Sequence, residues 1–391
     1  MADAILTINA GSSSIKFALF EMKNGFECTI EGEVEGIGTS PHLLIRNKGQ
    51  VAFEKKWSDD KTLGYEPLLS ESLDWIEKHL GTDRLIAAGH RVVHGGRKFF
   101  APVLITPEII KDLEALVELA PLHQPHNIAP MEVLFRLRPK LPQVGCFDTA
   151  FHHTMPEVAA RIAIPRQYHD QGVRRYGFHG LSYEYIASRL PDVAPNLAKG
   201  RVVVAHLGNG ASMCAIRDGK SIDSTMGFTA LDGLMMGTRT GAIDAGVVLY
   251  MIQSRGMDAN ALTSLLYKES GLLGVSGTSS DVRTLLEETS PEAREALDLF
   301  AFRAAHQAAG LVTSLGGLDG LIFTAGIGEH AAPIRAAICE RLSWMGLELS
   351  PGANQENAPV ISTAESKIEV RVIPTNEELV IARHTSKLVS R

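Results

Sequence analysis

Cysteine is scarce in this chain and badly spaced for cross-linking. The four, Cys28, Cys146, Cys214 and Cys339, lie far apart with no CxxC pair. That spacing suits free thiols in a reducing compartment better than a disulfide framework or a zinc site. Basic charge is short too: 38 Lys and Arg against 45 Asp and Glu leave a formal net charge of −7, so no cationic field draws the chain to DNA, RNA or an anionic membrane. A site for one small anion stays open, because a local cluster can oppose the overall sign. The opening MADAILTINA has neither the basic flank nor the unbroken apolar core of a secretion signal. The most apolar stretch, 311–325, is broken by Ser314 and Asp319 and studded with glycine, and no membrane span is expected there. A cytoplasmic protein is the expectation. Low-complexity linkers are missing as well, so any domain boundary must be compact.

With 391 residues, 45% apolar and 21% charged, the chain has the balance of a soluble globular protein of two to three domains. Short apolar runs alternate with longer helical stretches, the pattern of an α/β protein. Strands are expected over 5–8, 15–20, 85–93, 144–147, 201–205, 213–216, 320–324 and 368–373, and helices over 66–79, 107–119, 182–189 and 291–314. Ser290 is placed to cap the last helix, with Pro291 at its first position.

One echo runs through the chain. ILTINAGSSSIKFALF and VVVAHLGNGASMCAI both read strand, Gly/Ser turn, strand, and Gly11 laid on Gly208 places Ser12 on Asn209 and Ser13 on Gly210. Chance and shared ancestry account for such a match equally well. If ancestral, it describes two similar domains, each offering a small-residue turn to a common cleft.

The turns suit phosphate. Small residues at 11–14 let backbone N–H groups and hydroxyls approach closely. Lys16 offers a compact positive charge, and Asn9 a neutral oxygen for a metal or its waters. An ordinary hairpin turn is the bland alternative. It is not a Walker loop: the only GK[ST], at 219–221, has Cys214 where the first glycine belongs. AHLGNGAS, with His206 and Asn209, and FTAGIGEH, with Gly326 and Gly328 after a strand and before an expected helix, are two further glycine turns. Three such turns after apolar strands favour a nucleotide cleft.

Arg91 sits in a strand and Arg239 between threonines and glycines in MMGTRTG. The rigid guanidinium fork suits carboxylate and phosphate, but a structural ion pair explains a strand arginine equally well. Asp148 follows an apolar strand, where open α/β sheets bind ligands. His179 lies among Gly177, Phe178 and Gly180.

These segments, with GHRVVHGG, APLHQPHN, FDTAFH, RRYGFHG, GTSSDVR and PTNEEL, stand in the order they have in the acetate kinase family. The resemblance runs from Ile5 to about Ala382. It implies two duplicated α/β domains of the ribonuclease H-like, actin-like ATPase kind around a central ATP cleft. The first would span 1–149, the second 150–379, and 380–391 would return to the first. It further implies a homodimer and reversible transfer of the ATP γ-phosphoryl to a short carboxylate, with ADP and an acyl phosphate as products. Carried over by position, Asn9 and Glu377 resemble a site for magnesium, or manganese in its place. Arg91 and Arg239 match the arginines that hold the carboxylate and the phosphoryl group. Asp148 matches an acid/base position, and His179 a transition-state stabiliser. Lys16, His206, Leu207, Gly208, Asn209, Gly210, Asp281, Val282, Arg283, Gly326, Ile327, Gly328, Glu329 and His330 fall on nucleotide- and phosphate-binding segments. Val93, Leu122 and Phe178 fall on an apolar pocket for the acyl group.

A carboxylic acid titrates near pH ~4, so the acceptor is already an anion and Asp148 need not take a proton from it. An orienting role for Asp148 is the better reading. The chain departs from the family pattern at Ala242 and Ala245, at His330, and at Ala230, where acetate-preferring members often carry proline. A smaller side chain at 230 leaves room for one more methylene, worth at most ~1–3 kcal/mol of discrimination. The readings in contention are an acetate kinase, a propionate- or butyrate-preferring kinase, and a non-catalytic actin-like ATP-binding module. Retention of both Arg91 and Arg239 speaks against the last.

Overall fold

In the computed structural model, which describes residues 3–390 except 24, 58–62 and 82, the chain divides into two compact units. One comprises Met1–Ala150 and Asn376–Arg391, the other Phe151–Thr375. No helix among the described residues is long and apolar enough to cross a membrane.

The first unit is built on β1 (Asp3–Ala10), β2 (Ser14–Glu21), β3 (Glu27–Glu35), β4 (His42–Asn47), β5 (Gln50–Lys56), β6 (Arg84–Val92), β7 (Val103–Leu104) and β8 (Gln143–Phe147), in the order β5-β4-β3-β2-β1-β6-β8-β7. Leu6, Ile8, Ile15 and Phe17 pack against Leu68, Leu73 and Ile76 of the helix Tyr65–Leu80. The other face carries Ile5 and Phe20 against Ala382 of the helix Glu377–Val389. That helix lies so close to β6 that a Cβ at Gly89 would run into Ile381 and Thr385. The close approach seats the helix N-terminus, and with it Glu377, near the carboxyl end of β6.

The second unit holds β9 (Arg201–Leu207), β10 (Ala211–Arg217), β11 (Lys220–Ser224), β12 (Gly320–Thr324) and β13 (Glu369–Val372), in the order β11-β10-β9-β12-β13. Val202, Val204, Cys214 and Ile322 bury against Tyr183, Ile186 and Leu190 of the helix Gly180–Val193. The helix Pro291–Leu315 starts where Ser290 Oγ accepts from the Ala293 N–H at 3.2 Å and stops at Gly316, whose φ is 70°. Its buried stripe of Ala296, Phe300, Ala304, Ala308 and Leu311 packs against β10 and the helix Gly271–Ser276.

The echo in the sequence has a counterpart in topology. β1 pairs β2 antiparallel, β2 pairs β3 antiparallel, and β6 and β8 continue parallel on the far side of β1. β9, β10, β11, β12 and β13 repeat that scheme strand for strand. The turn after β1 begins at Gly11 and the turn after β9 at Gly208, the pair aligned from sequence. Both sheets are mixed, and the fold is α/β.

Strands β3, β4, β5, β7 and β11 escape the sequence reading. β3 reads ECTIEGEVE and β5 QVAFEKK, and such acidic or lysine-rich runs lack the apolar signal of a central strand. The helix Gln124–Leu137 escapes because Pro125 and Pro130 read as breakers, although proline in the first turn is compatible with a helix. The expected helix 107–119 ends at Glu114 and resumes only as a short 3-10 turn over Val117–Leu119. Gly326 and Gly328 lie inside a short helix, Ala325–His330, and not in a turn ahead of it.

Candidate functional site

In the first unit, β1, β6 and β8 run parallel, so their carboxyl ends share one edge, the usual place for a ligand in an open α/β sheet. Register puts Asn9 opposite Lys16, and Lys16 opposite Glu33. Arg91 stands near the end of β6, and Asp148 is the first residue beyond β8. Arg91 donates from Nε to both Asp148 oxygens, at 3.2 and 3.0 Å, and from Nη2 to Oδ2 at 2.6 Å. Its Nη1 reaches Asn9 Oδ1 at 3.4 Å, and Glu377 Oε2 lies 3.9 Å from its Nε. The ion pair weighed as an alternative for Arg91 is therefore real, and it sits within a cluster of side-chain oxygens.

Asp148 is fully buried and Arg91 only partly. Burial works against the Arg91 charge, but Asp148, Glu377 and Glu378 outweigh it and hold the guanidinium pKa above its ordinary value. Glu377 is pushed up to about 7, first by burial and then by Asp148 and Glu378, with Arg91 opposing. Among the described residues no group of three or more His, Cys, Asp or Glu forms a ready-made metal cage. The donors around Arg91 are carboxylate and amide oxygens, the hard ligands magnesium takes while keeping several waters.

Val93 is buried, and its N–H donates to Asn127 Oδ1 at 2.9 Å, while Asn127 Nδ2 donates to the Ala10 carbonyl at 2.8 Å. Asn127 thereby ties the ends of β1 and β6 together. Leu122 is half-buried just ahead of the helix Gln124–Leu137. The Lys16 ammonium is ion-paired to Glu33 at 3.1 Å and largely exposed.

In the second unit, His179 caps the helix Gly180–Val193 in the left-handed region, φ 57°, a conformation that costs a non-glycine residue energy. Its Nδ1 shares a 2.8 Å hydrogen bond with Ser212 Oγ, which also lies 2.5 Å from Tyr183 Oη. Its ring stacks on His206, centroids 4.2 Å apart. His206 Nδ1 bonds Ser182 Oγ at 2.8 Å, and Ser182 bonds Thr375 Oγ1 at 2.9 Å. Gly237 N–H donates to the Asn209 carbonyl at 3.0 Å, and a side chain at 237 would collide with Asn209. This contact brings Arg239 beside the 208–210 turn. A Cβ placed on Gly210 would stand 3.5 Å from His179 Nε2 and 3.8 Å from Arg239 Nη1. Two side-chain nitrogens thus lie beside one glycine. Arg239 Nη1 is held by the Ala230 carbonyl at 3.0 Å.

A pocket of about 520 Å³ joins segments far apart in sequence: Gly208 and Asn209, 280–283, and Gly326, Ile327 and His330. Asp281 caps the helix Val282–Glu287, accepting from the Arg283 N–H at 2.8 Å, and the two side chains pair at 2.6 Å. Leu207, Gly328 and Glu329 are absent from the lining, as are His206 and Gly210. Leu207 and Gly328 are buried. Glu329 Oε1 instead accepts from the Ala325 N–H at 2.8 Å and the Thr375 N–H at 3.1 Å, tying the glycine helix to the strand end. Leu286, Ala331 and Pro333 supply apolar wall that sequence reasoning missed; they flank the glycine motifs without belonging to them. Ser212 was within reach, as the last residue of AHLGNGAS.

Two mixed sheets of matching strand order define an α/β protein whose candidate site residues lie at strand ends and glycine turns. The model of the Acetokinase family matches residues 4–383, and the chain belongs to that family. An acetate kinase of Rhodopseudomonas palustris is 52% identical over 395 residues, with 99% of each chain covered. Among solved structures, a propionate kinase from Francisella tularensis superposes with a TM-score of 0.92 at 38% identity, covering 98% of this chain and 99% of that one. An acetate kinase from Porphyromonas gingivalis gives 0.87 at 36%, covering 99% and 100%.

Proposed function

We propose that the protein transfers the γ-phosphoryl of ATP reversibly to acetate, giving acetyl phosphate and ADP. The observation that carries this, in a chain of the Acetokinase family, is that His179 Nε2 and Arg239 Nη1 both lie beside the same face of Gly210. Phosphoryl transfer depends on in-line positioning and on stabilising charge at the equatorial oxygens, which suits two fixed donors there. The carboxylate oxygen attacks Pγ as the bond from Pγ to the bridging oxygen of ADP breaks, and no proton has to move.

In this reading Arg91 holds the carboxylate, and Val93 and Leu122 meet its alkyl end. Asp148 fixes the plane of Arg91 through both oxygens. The nucleoside lies in the pocket between Asn209, 281–283 and Gly326, with the phosphates toward Gly208 and Gly210. Lys16 meets phosphate by leaving Glu33. Asn9 and Glu377 would hold magnesium, which when bound offsets phosphate charge. A second copy of the chain covers the helix Ala245–Arg255, whose Val247, Leu249, Tyr250 and Ile252 are exposed together with Ile243, and the working form is a homodimer.

Propionate is the second reading, favoured by the small side chain of half-buried Ala230 beside the Arg239 contact. Hydroxylamine trapping of acyl phosphate, with ATP and magnesium against formate, acetate, propionate and butyrate, decides between them. The largest kcat/KM is expected with acetate. A maximum at propionate would hand the pocket to the second reading, and no product from any acid would end the proposal.

A further inference from the structure

His152 is fully buried in the second unit and has no part in the chemistry above. Its Nε2 lies 2.9 Å from the Phe178 carbonyl and its Nδ1 2.9 Å from Ser221 Oγ. A carbonyl only accepts, so the ring proton sits on Nε2, and Nδ1 accepts from the Ser221 hydroxyl. Burial pushes the ring pKa down to about 4, against the opposing hydrogen bond to Phe178, so the imidazole stays neutral in that tautomer.

The ring also decides the backbone beside it. Gly177 has φ 75°, and a Cβ there would lie 2.6 Å from the His152 ring. Two residues on, His179 takes its own left-handed conformation at φ 57°. The peptide between these two unusual residues is the one His152 holds. The ring further stands edge-on to Tyr183, centroids 5.6 Å apart, and Tyr183 bonds the Ser212 hydroxyl that meets His179 Nδ1. His152 thus reaches His179 from the backbone side and from the ring side.

We propose that His152 is a positioning residue for phosphoryl transfer: its Nε2 hydrogen bond to the Phe178 carbonyl holds the 177–179 segment so that His179 Nε2 points over Gly210. The inference rests on the reading of His179 as a transition-state donor. A strained left-handed residue persists only where its surroundings over-determine it, and this ring supplies such a hold. Misplacing a catalytic group by 1 Å costs on the order of 10²-fold in rate.

A double-mutant cycle tests it. His152→Phe keeps the ring volume against Gly177 and Tyr183 but removes the donor. The expected result is a folded enzyme with kcat down about 10- to 100-fold and the nucleotide KM within about twofold. His152→Gln, which keeps an N–H near the Nε2 position, should recover most of that loss. In a His179→Ala background, His152→Phe should cost nothing further, because its effect runs through His179. A parental kcat for His152→Phe, or an undiminished effect of it in the His179→Ala background, overturns the inference while leaving His179 in place. A parental kcat for His179→Ala sinks the reading of His179 and the inference with it. Should His152→Phe fail to fold, Ser221→Ala removes the hydroxyl from the ring's other nitrogen, leaving it Cys214 Sγ at 3.9 Å, and enters the same cycle, with kcat expected to fall about threefold or more and a parental kcat again counting against the inference.

Discussion

Arg91 directs three hydrogen bonds at one carboxylate, and both oxygens of that buried carboxylate, Asp148, accept them. A carboxylate engaged in this way is a brace for the guanidinium. Removing Arg91 would leave a buried charge without its partner, at about 3–5 kcal/mol, so Asp148→Asn is the cleaner variant. We expect Asp148→Asn to fold, to raise KM for the carboxylate, and to lose on the order of 10²-fold in kcat/KM, part of it recovered at high magnesium. The pH–rate profile should keep its shape. Loss of an acidic limb in the variant would reassign Asp148 to proton transfer.

Arg91→Lys puts a point charge where a planar fork now spans Asp148 and Asn9. Lysine cannot reproduce that geometry. Steady-state kinetics should show a loss close to that of Arg91→Ala, and recovery to within tenfold of the parent would argue that charge alone suffices.

Gly210→Ala isolates the space above the 208–210 turn. The added methyl meets only ordinary contacts, 3.5 Å to His179 and 3.8 Å to Arg239, so Tm should be almost unchanged. That methyl nevertheless projects into the space beside which the phosphoryl group is proposed to sit, and kcat/KM should fall about 100-fold or more. An active Gly210→Ala enzyme would move the reaction centre elsewhere.

Acid stability follows from three buried histidines. Burial pushes His90, His94 and His152 down to about 4, with hydrogen bonds to Gln143 and Phe178 opposing it at His90 and His152. Between pH 6.5 and about 4 these three rings bind more protons in the unfolded chain than in the folded one, so their contribution to stability is full above pH 6.5 and falls as pH drops through this window. Urea midpoints measured from pH 8 to 4.5 should decline from about 6.5 downward. A flat profile to pH 5 would mean these rings are protonated in the folded state.

What the sequence disclosed divides along a physical line. β1, β2, β9 and β10 are apolar runs broken by small residues, a local pattern, and Arg91 and Asp148 were read correctly as lying within and just past strands. The grip of Arg91 on Asp148 spans 57 positions and depends on β6 lying beside β8, which no local pattern specifies. The same holds for Glu377, whose place at the cluster depends on a helix returning across Gly89. β3 and β5 stayed hidden because their charged residues face solvent at the outer part of the sheet. The bonds of Glu329 to the Ala325 and Thr375 N–H groups stayed hidden as the grip of Arg91 did, since Thr375 lies 46 positions away.

Glu377 joins stability to the proposed magnesium site. Its carboxyl is raised from 4.5 to about 7 by burial, with Asp148 and Glu378 adding and Arg91 opposing. Between those pH values the folded protein holds a proton that the unfolded chain releases. This group therefore favours folding below pH 4.5, its contribution fades as pH rises, and above about 7 the ionised side chain is a net cost. Glu377→Gln removes that cost: its Tm should match the parent at pH 5 and exceed it by roughly 2–4 °C or more at pH 8. A bound cation favours the ionised form, so magnesium should raise the parent's Tm at pH 8, whereas the Gln variant, with no charge to offer, should respond weakly and turn over poorly. Equal magnesium shifts in both proteins would place the metal away from Glu377, and equal Tm differences at pH 5 and 8 would show that its carboxyl titrates in the ordinary range.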